Sequence, residues 1–129
     1  SGIYHAAIRS NGSSNITISN NDIGLSGNGA DWGVGLSQSN NVNVTGNEIY
    51  GVRDGVIGYF INGLLIDDNI IDHNRVSDTP SGGGYGIYID NSHNLQIGEG
   101  AGVGTNGNII DDFVSGIEVH TITGTTIID

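Results

Sequence analysis

The chain of 129 residues contains no cysteine. No disulfide framework, thiol nucleophile or cysteine-ligated metal is therefore available, which excludes several classes of enzyme. Hydrophobic residues are also few, at 36%, whereas 23 residues are glycine. Because that is little apolar material for a core with one centre, the composition favours a repeating architecture with a narrow, continuous core.

Lysine is missing as well. The chain has three arginines and 14 acidic residues, which gives a formal net charge of −11. A nucleic acid partner is not expected, since its phosphates require cations that the chain lacks. No apolar run approaches the ~20 residues of a membrane helix, and we expect no membrane insertion. The high content of Asn, Gly, Ser and Thr indicates an extracellular or cell-surface protein.

Five segments of the sequence can be aligned without gaps, and the residues in each column of the alignment then share one property, such as small size or an apolar side chain. The first column is small, at Ala7, Gly33, Gly55, Gly86 and Gly116, and the next is apolar, at Ile8, Val34, Val56, Ile87 and Ile117. Two later columns contain Ile16, Val42, Leu64, Leu95 and Thr125, and Ile18, Val44, Ile66, Ile97 and Ile127. Each segment therefore holds two short strands, joined by a turn residue at Asn15, Asn41, Gly63, Asn94 or Gly124.

The period of this repeat indicates a solenoid. Successive members of the Ile18 column are 26, 22, 31 and 30 residues apart, which gives a basic coil of about 22 residues with insertions. The insertions, at 26–30, 74–83 and 99–105, read as surface loops. We predict an all-β parallel β-helix of about five coils, with three stacked sheets, an Ile/Val/Leu interior and no caps.

A polar column accompanies the apolar ones, at Asn21, Asn47, Asn69 and Asn108. An inward Asn at a tight bend can satisfy the backbone groups of the turn. It can also bond to the Asn residues of the coils above and below, ~4.8 Å away. These asparagines are therefore predicted to be structural.

Residues 94–110, followed by Gly116 to Val119, resemble the repeats of secreted right-handed β-helix proteins of the pectate-lyase-like superfamily. The resemblance covers the whole chain as a pattern, and the right-handed sense of the coil is what it implies. The chain starts inside a coil and stops at Asp129 in mid-strand. We therefore expect residues 1–129 to be one segment of a longer β-helix, or coils that associate end to end between molecules.

Two neighbouring columns of the first strand are predicted to point outward. They contain Arg9, Gly35, Ile57, Tyr88 and Glu118, and Asn11, Ser37, Tyr59, Asp90 and His120. Phenol, imidazole and carboxylate groups on consecutive coils, ~4.8 Å apart, can move a proton or bind sugar hydroxyls. The candidate catalytic residues are Tyr59, Tyr88, Asp90, Glu118 and His120; the alternative is a chance set of polar surface residues.

Within the superfamily, residues 84–95 look like a coil of the mannuronan C5-epimerases and related alginate lyases. Where that family has Asp-Pro-His, this chain has Tyr88, Ile89 and Asp90. The family's His thus becomes Asp90, its Asp on the next coil becomes His120, and its lysine has no counterpart. An enzyme of this kind would be a polysaccharide lyase or C5-epimerase.

The negative charge makes neutral glycans easier partners than polyuronates, which would need Ca²⁺ as a bridge. Aromatic rings stack on sugars, and the candidate substrate-binding residues are Trp32, Arg53 and Tyr85, although Trp32 and Tyr85 can instead pack against loops. The candidate Ca²⁺ ligands are Asp67, Asp68, Asp72 and Asp111, the alternative being a solvated acidic face without any cofactor.

Two functions remain open at this point. The first is to bind or to process extracellular polysaccharide on the outward face. The second is to serve as a structural or adhesive stalk, stacking end to end. A binding face predicts a groove walled by the loops at 74–83 and 99–105, whereas a stalk predicts none.

Overall fold

The computed structural model describes residues 5–24, 31–72, 84–98 and 107–129, where every regular element is a β-strand. In chain order the strands are β1 (Ala6–Asn11), β2 (Ser14–Ser19), β3 (Asp22–Gly24), β4 (Trp32–Ser37), β5 (Asn40–Thr45), β6 (Glu48–Tyr50), β7 (Asp54–Tyr59), β8 (Asn62–Asp67), β9 (Ile70–Asp72), β10 (Tyr85–Asp90), β11 (His93–Ile97), β12 (Ile109–Asp111), β13 (Ser115–His120) and β14 (Thr123–Ile128). Within these ranges no helix has the length and hydrophobicity that a membrane crossing needs. The predicted all-β class is confirmed.

The strands form three sheets that stack coil upon coil. The first sheet has the order β1-β4-β7-β10-β13, the second β2-β5-β8-β11-β14, and the third β3-β6-β9-β12. Every pair of neighbouring strands is parallel. Since consecutive strands of the chain go to the three sheets in turn, with four strands in the third sheet and five in each of the others, the architecture is the predicted parallel solenoid. The insertions predicted at 26–30, 74–83 and 99–105 lie outside the described residues.

The predicted columns match the strand register almost everywhere. In the first sheet, Ile8, Val34, Val56, Ile87 and Ile117 are paired in succession. The interior members of the columns are fully buried, with Val34, Val56 and Ile87 at 0% exposure. The period of two along each strand thus places one side chain in the core and the next outside.

The last strand departs from the prediction by one residue. There the pairs are Leu95 with Thr126 and Ile97 with Ile128. Thr125 and Ile127 were expected in these columns, and that expectation is wrong. The register shifts after the pair of His93 with Thr123. A β-bulge of this kind places one extra residue on one strand, which the gapless alignment could not represent.

The corners of the coils contain residues with left-handed backbone. The predicted turn residues have φ between 52° and 80°, and they are Asn15, Asn41, Gly63, Asn94 and Gly124. A second such column has φ between 49° and 67° and contains Gly12, Gln38, Phe60, Asn91 and Thr121. Asn and Gly accept this conformation most readily, which explains their frequency at the corners.

The small column at the start of each segment is required by the spacing of the coils. A Cβ atom on Gly33 would lie 2.8 Å from the carbonyl oxygen of Gly55. One on Gly86 would lie 2.6 Å from the carbonyl oxygen of Gly116. The backbones approach each other here with no room for a side chain, and this column therefore tolerates only glycine once both neighbouring coils are present.

The asparagine ladder is confirmed bond by bond. The Oδ1 atom of Asn69 accepts hydrogen bonds from both the backbone nitrogen and Nδ2 of Asn47, each at 3.0 Å. The Oδ1 atom of Asn108 accepts the corresponding two hydrogen bonds from Asn69, at 3.2 and 2.9 Å. The Oδ1 atom of Asn47 likewise accepts two from Asn21. Asn47 and Asn69 are 1% and 0% exposed. Each amide thus replaces water for the buried polar groups of the neighbouring coil.

We expect Asn69→Ala to lower the free energy of unfolding by about 3 kcal/mol, because the backbone nitrogen of Asn47 would be left buried without its acceptor. The exposed residue Asn43 provides the control, and Asn43→Ala should change the free energy by less than about 0.5 kcal/mol. Urea unfolding followed by circular dichroism measures both. Equal stability of the two variants would show that the ladder does not hold the coils together.

Candidate functional site

The first sheet brings the candidate catalytic residues onto one outward face. Asp90 is paired with Tyr59 on one side and with His120 on the other, as the columns predicted. Tyr88 is paired with Glu118 in the neighbouring column. Strands β7, β10 and β13 therefore hold all five groups in two adjacent rows.

Tyr88 is the centre of an aromatic cluster on this face. Its ring centroid lies 4.9 Å from that of Tyr85, 5.8 Å from that of Tyr59 and 5.5 Å from that of His120. The rings are tilted against each other by 36° to 51°. Tilted rings at these separations attract each other, so the cluster forms a rigid aromatic surface rather than a set of independent side chains.

The cluster borders an open cleft of about 320 Å³. Its lining residues are Trp32, Arg53, Asp54, Ile57, Tyr59, Tyr85 and Tyr88. Ile57 points outward from its strand yet is only 3% exposed, and it supplies an apolar floor. The indole of Trp32 lies over Gly35, where an added Cβ would be 2.9 Å from the ring. The predicted substrate-binding residues Trp32, Arg53 and Tyr85 thus meet in one cleft.

Asp54 holds one wall of the cleft in place, a role that sequence reasoning missed. Its side chain is 4% exposed, and its Oδ2 atom accepts hydrogen bonds from Nε and Nη2 of Arg53 at 2.9 and 2.8 Å. Its Oδ1 atom accepts from the backbone nitrogen of Tyr85 at 2.8 Å. A Cβ on Gly84 would collide with this carboxylate. An acid flanked by Arg53 and followed by glycine was the available sequence signal.

Glu118 and His120 form a close pair beside the cleft. The distance from His120 Nε2 to Glu118 Oε1 is 2.7 Å. The side chain of His120 is 51% exposed and that of Glu118 is 34% exposed. Asp90, by contrast, accepts a hydrogen bond from the backbone nitrogen of Asn91 at 2.7 Å. The carboxylate that orients the imidazole is therefore Glu118, and Asp90 caps its own turn.

The surroundings of Tyr88 favour its neutral form. Partial burial raises the pKa of the Tyr88 phenol, and the negative charges of Asp90 and Glu118 raise it further. A tyrosine phenol is protonated at neutral pH even with its ordinary pKa, and this shift extends the neutral form to still higher pH. In that state it can donate a hydrogen bond, and it can accept one.

The candidate Ca²⁺ ligands are distributed over two sheets. Asp72 and Asp111 are paired neighbours in the third sheet. Asp67 ends β8 in the second sheet, and Asp68 follows in the turn with φ of 55°. Among the described residues, no three His, Asp or Glu side chains are grouped closely enough to hold a metal ion. Calcium binding stays a prediction from the sequence.

The chain matches, over residues 1–129, the family described as right handed beta helix region. It therefore belongs to the right-handed β-helix family, and the sense of the coil expected from the resemblance is confirmed. Membership of this family is compatible with a polysaccharide-related β-helix and with a structural one. No curated protein and no solved structure matches the chain.

We expect Asp90→Asn to lower the pKa of Tyr88, because one of the two negative charges that stabilise the neutral phenol is removed. The measurement is a pH titration of the phenolate absorbance, with the Tyr88→Phe curve subtracted. As the control, Asp22→Asn should lower the pKa of Tyr50, which a hydrogen bond from its phenol to Asp22 raises, and should leave Tyr88 unchanged. An unaltered Tyr88 curve in Asp90→Asn would contradict the assigned charge contact.

Proposed function

We propose that this protein binds a neutral polysaccharide, outside the cell or at its surface, in the cleft around Tyr88. The observation that carries the proposal is the convergence of Trp32, Tyr59, Tyr85 and Tyr88 on one open cleft with an apolar floor. Ligand sites of this kind are concave and largely apolar, with a few fixed polar groups. Here Arg53 and the tyrosine hydroxyls supply the polar groups.

The shape and chemistry of the cleft suit a sugar ring. One face of many pyranose rings carries only C–H groups and packs on an aromatic ring, whereas the rim carries hydroxyls that need hydrogen bonds. Tyr85 and Tyr88 offer ring faces and neutral phenol groups at the same place. A stalk, the other function expected from the sequence, needs no such cleft.

Electrostatics favours a neutral ligand over an acidic one. The chain has a net charge of −11, and its few cations are dispersed. Arg53 makes two hydrogen bonds to the carboxylate of Asp54, which neutralises most of its charge. Asp90 and Glu118 stand close by, and a uronate bound at Tyr88 would be repelled by both.

Tyr88→Ala is expected to weaken binding about tenfold, because one aromatic stacking surface is lost from the centre of the cleft. Binding is measured first on an array of neutral and acidic glycans and then by calorimetric titration with the best neutral glycan. The control is Asn43→Ala on the outward face of the second sheet, which should bind as the unchanged protein does. Equal affinity of both variants would contradict the assigned cleft, and a preference for polyuronates would contradict the neutral ligand.

A second candidate function, processing of the bound polysaccharide, is favoured by the 2.7 Å contact between Glu118 and His120. A carboxylate in contact with an imidazole fixes the orientation of the ring. His120 also lies 5.5 Å from the ring of Tyr88. A base and a neutral phenol are thus side by side at the edge of the cleft, as acid–base chemistry on a sugar requires. A lyase or epimerase abstracts the proton beside a uronate carboxylate, so that reaction would need Ca²⁺ to bridge the uronate to this acidic face.

For this second function, His120→Ala and Glu118→Gln are expected to abolish turnover while glycan binding in the cleft is retained, since neither residue lines it. Turnover is followed by new reducing ends, unsaturated products and sugar stereochemistry, with Ca²⁺ and with a chelator. Asn43→Ala again serves as the control. If the unchanged protein binds glycan but turns over none in either condition, binding alone is the function.

A further inference from the structure

A second cleft lies at the corner between the first and second sheets and has a volume of about 380 Å³. Its outer lining consists of Phe60, Asn62, Asn91, His93, Thr121 and Thr123. None of these residues belongs to the cleft around Tyr88. The two clefts nevertheless adjoin, because Tyr59 lines the first and Phe60, the next residue, lines the second.

Phe60 is an unusual choice for its position. The corner requires left-handed backbone, and Phe60 has φ of 57° in a column that contains Gly12, Gln38, Asn91 and Thr121 on the other coils. A bulky residue in this conformation is strained, and strained residues concentrate at functional sites. The side chain is also 58% exposed, so it gains little from the core of the coil. The exposed ring of Phe60 is therefore free of core packing and accessible to a ligand.

Polar side chains surround Phe60 in the second cleft, and one of them is held in place. The amide side chains of Asn62 and Asn91 can each donate and accept hydrogen bonds. The His93 Nδ1 atom lies 2.7 Å from the hydroxyl oxygen of Thr123, which fixes the ring. A Cβ on Gly124 would lie 2.8 Å from Cε1 of that ring. The second cleft thus offers an aromatic face beside amides, an imidazole and hydroxyls, and like the first cleft it combines a stacking surface with groups that form hydrogen bonds.

We propose that the second cleft is a further binding subsite for the same neutral polysaccharide, with Phe60 as its stacking platform. This inference rests on the proposed function. An extended oligosaccharide would then run along the strand direction, past Tyr85, Tyr88 and Tyr59, and turn the corner onto Phe60. The strand part of this path, from Tyr85 to Asp90, is ~17 Å long, and short oligosaccharides therefore fill only the first cleft.

Phe60→Asn tests the proposal without the risk of unfolding, because Asn adopts left-handed backbone more readily than Phe. The probes are cello-, manno- and xylo-oligosaccharides from the disaccharide to the octasaccharide, titrated calorimetrically. For the unchanged protein we expect affinity to rise in a second step once the chain reaches the corner. Phe60→Asn should lose this step, about tenfold in affinity for the octasaccharide, and bind the short probes unchanged.

Asn62→Ala provides a second variant, which should weaken binding of the long probes alone. If both variants bind every probe as the unchanged protein does, the corner subsite is overturned while the cleft around Tyr88 stands. If short and long probes bind the unchanged protein equally, the subsite is overturned as well. If the unchanged protein binds no probe of any length, the proposed function fails, and the subsite fails with it.

Discussion

The stacked asparagine amides at the corner before the third sheet are the contact on which the remainder of the molecule depends. The Oδ1 atoms of Asn47, Asn69 and Asn108 each accept two hydrogen bonds from the Asn of the preceding coil, one from its backbone nitrogen and one from its side-chain amide. A slip of one residue between coils would break both bonds and would turn every core side chain outward. The spacing between coils varies with the insertions, yet Asn108 rejoins the ladder 39 residues after Asn69. The ladder therefore permits long loops without loss of register.

Register, in turn, explains why the sequence predicts so much of the fold. The columns of Val34, Val56 and Ile87 follow from a period of two within strands and a repeat between them, and both are local properties of the sequence. The bulge in β14 was not predicted from the sequence, because one extra residue in a strand does not change the kinds of residue that the strand contains. The same columns predict which outward residues are neighbours, as for Tyr59, Asp90 and His120.

What the columns cannot predict is the direction of each side chain beyond its Cβ atom. Asp90 and Glu118 are both close to His120 in the backbone, but only Glu118 reaches the imidazole, since Asp90 accepts a hydrogen bond from the turn. Rotamers of this kind are decided by competing local donors, and backbone nitrogens at a turn compete well for a short carboxylate. The burial of Asp54 was missed for a similar reason. It depends on the glycine at position 84 of another coil, which leaves room for the carboxylate.

The raised pKa of Tyr88 limits the chemistry that this face can perform. A phenol that keeps its proton at neutral pH offers almost no phenolate to act as a base, so proton abstraction at the cleft would fall to His120. Glu118 would then support that role, because its contact with Nε2 of His120 orients the imidazole. The same neutral phenol is well suited to plain binding, where it donates one hydrogen bond to a sugar and accepts another. Binding thus requires only the aromatic cluster. Processing requires in addition that the bound sugar place an acidic C–H group or the oxygen of its leaving group next to His120.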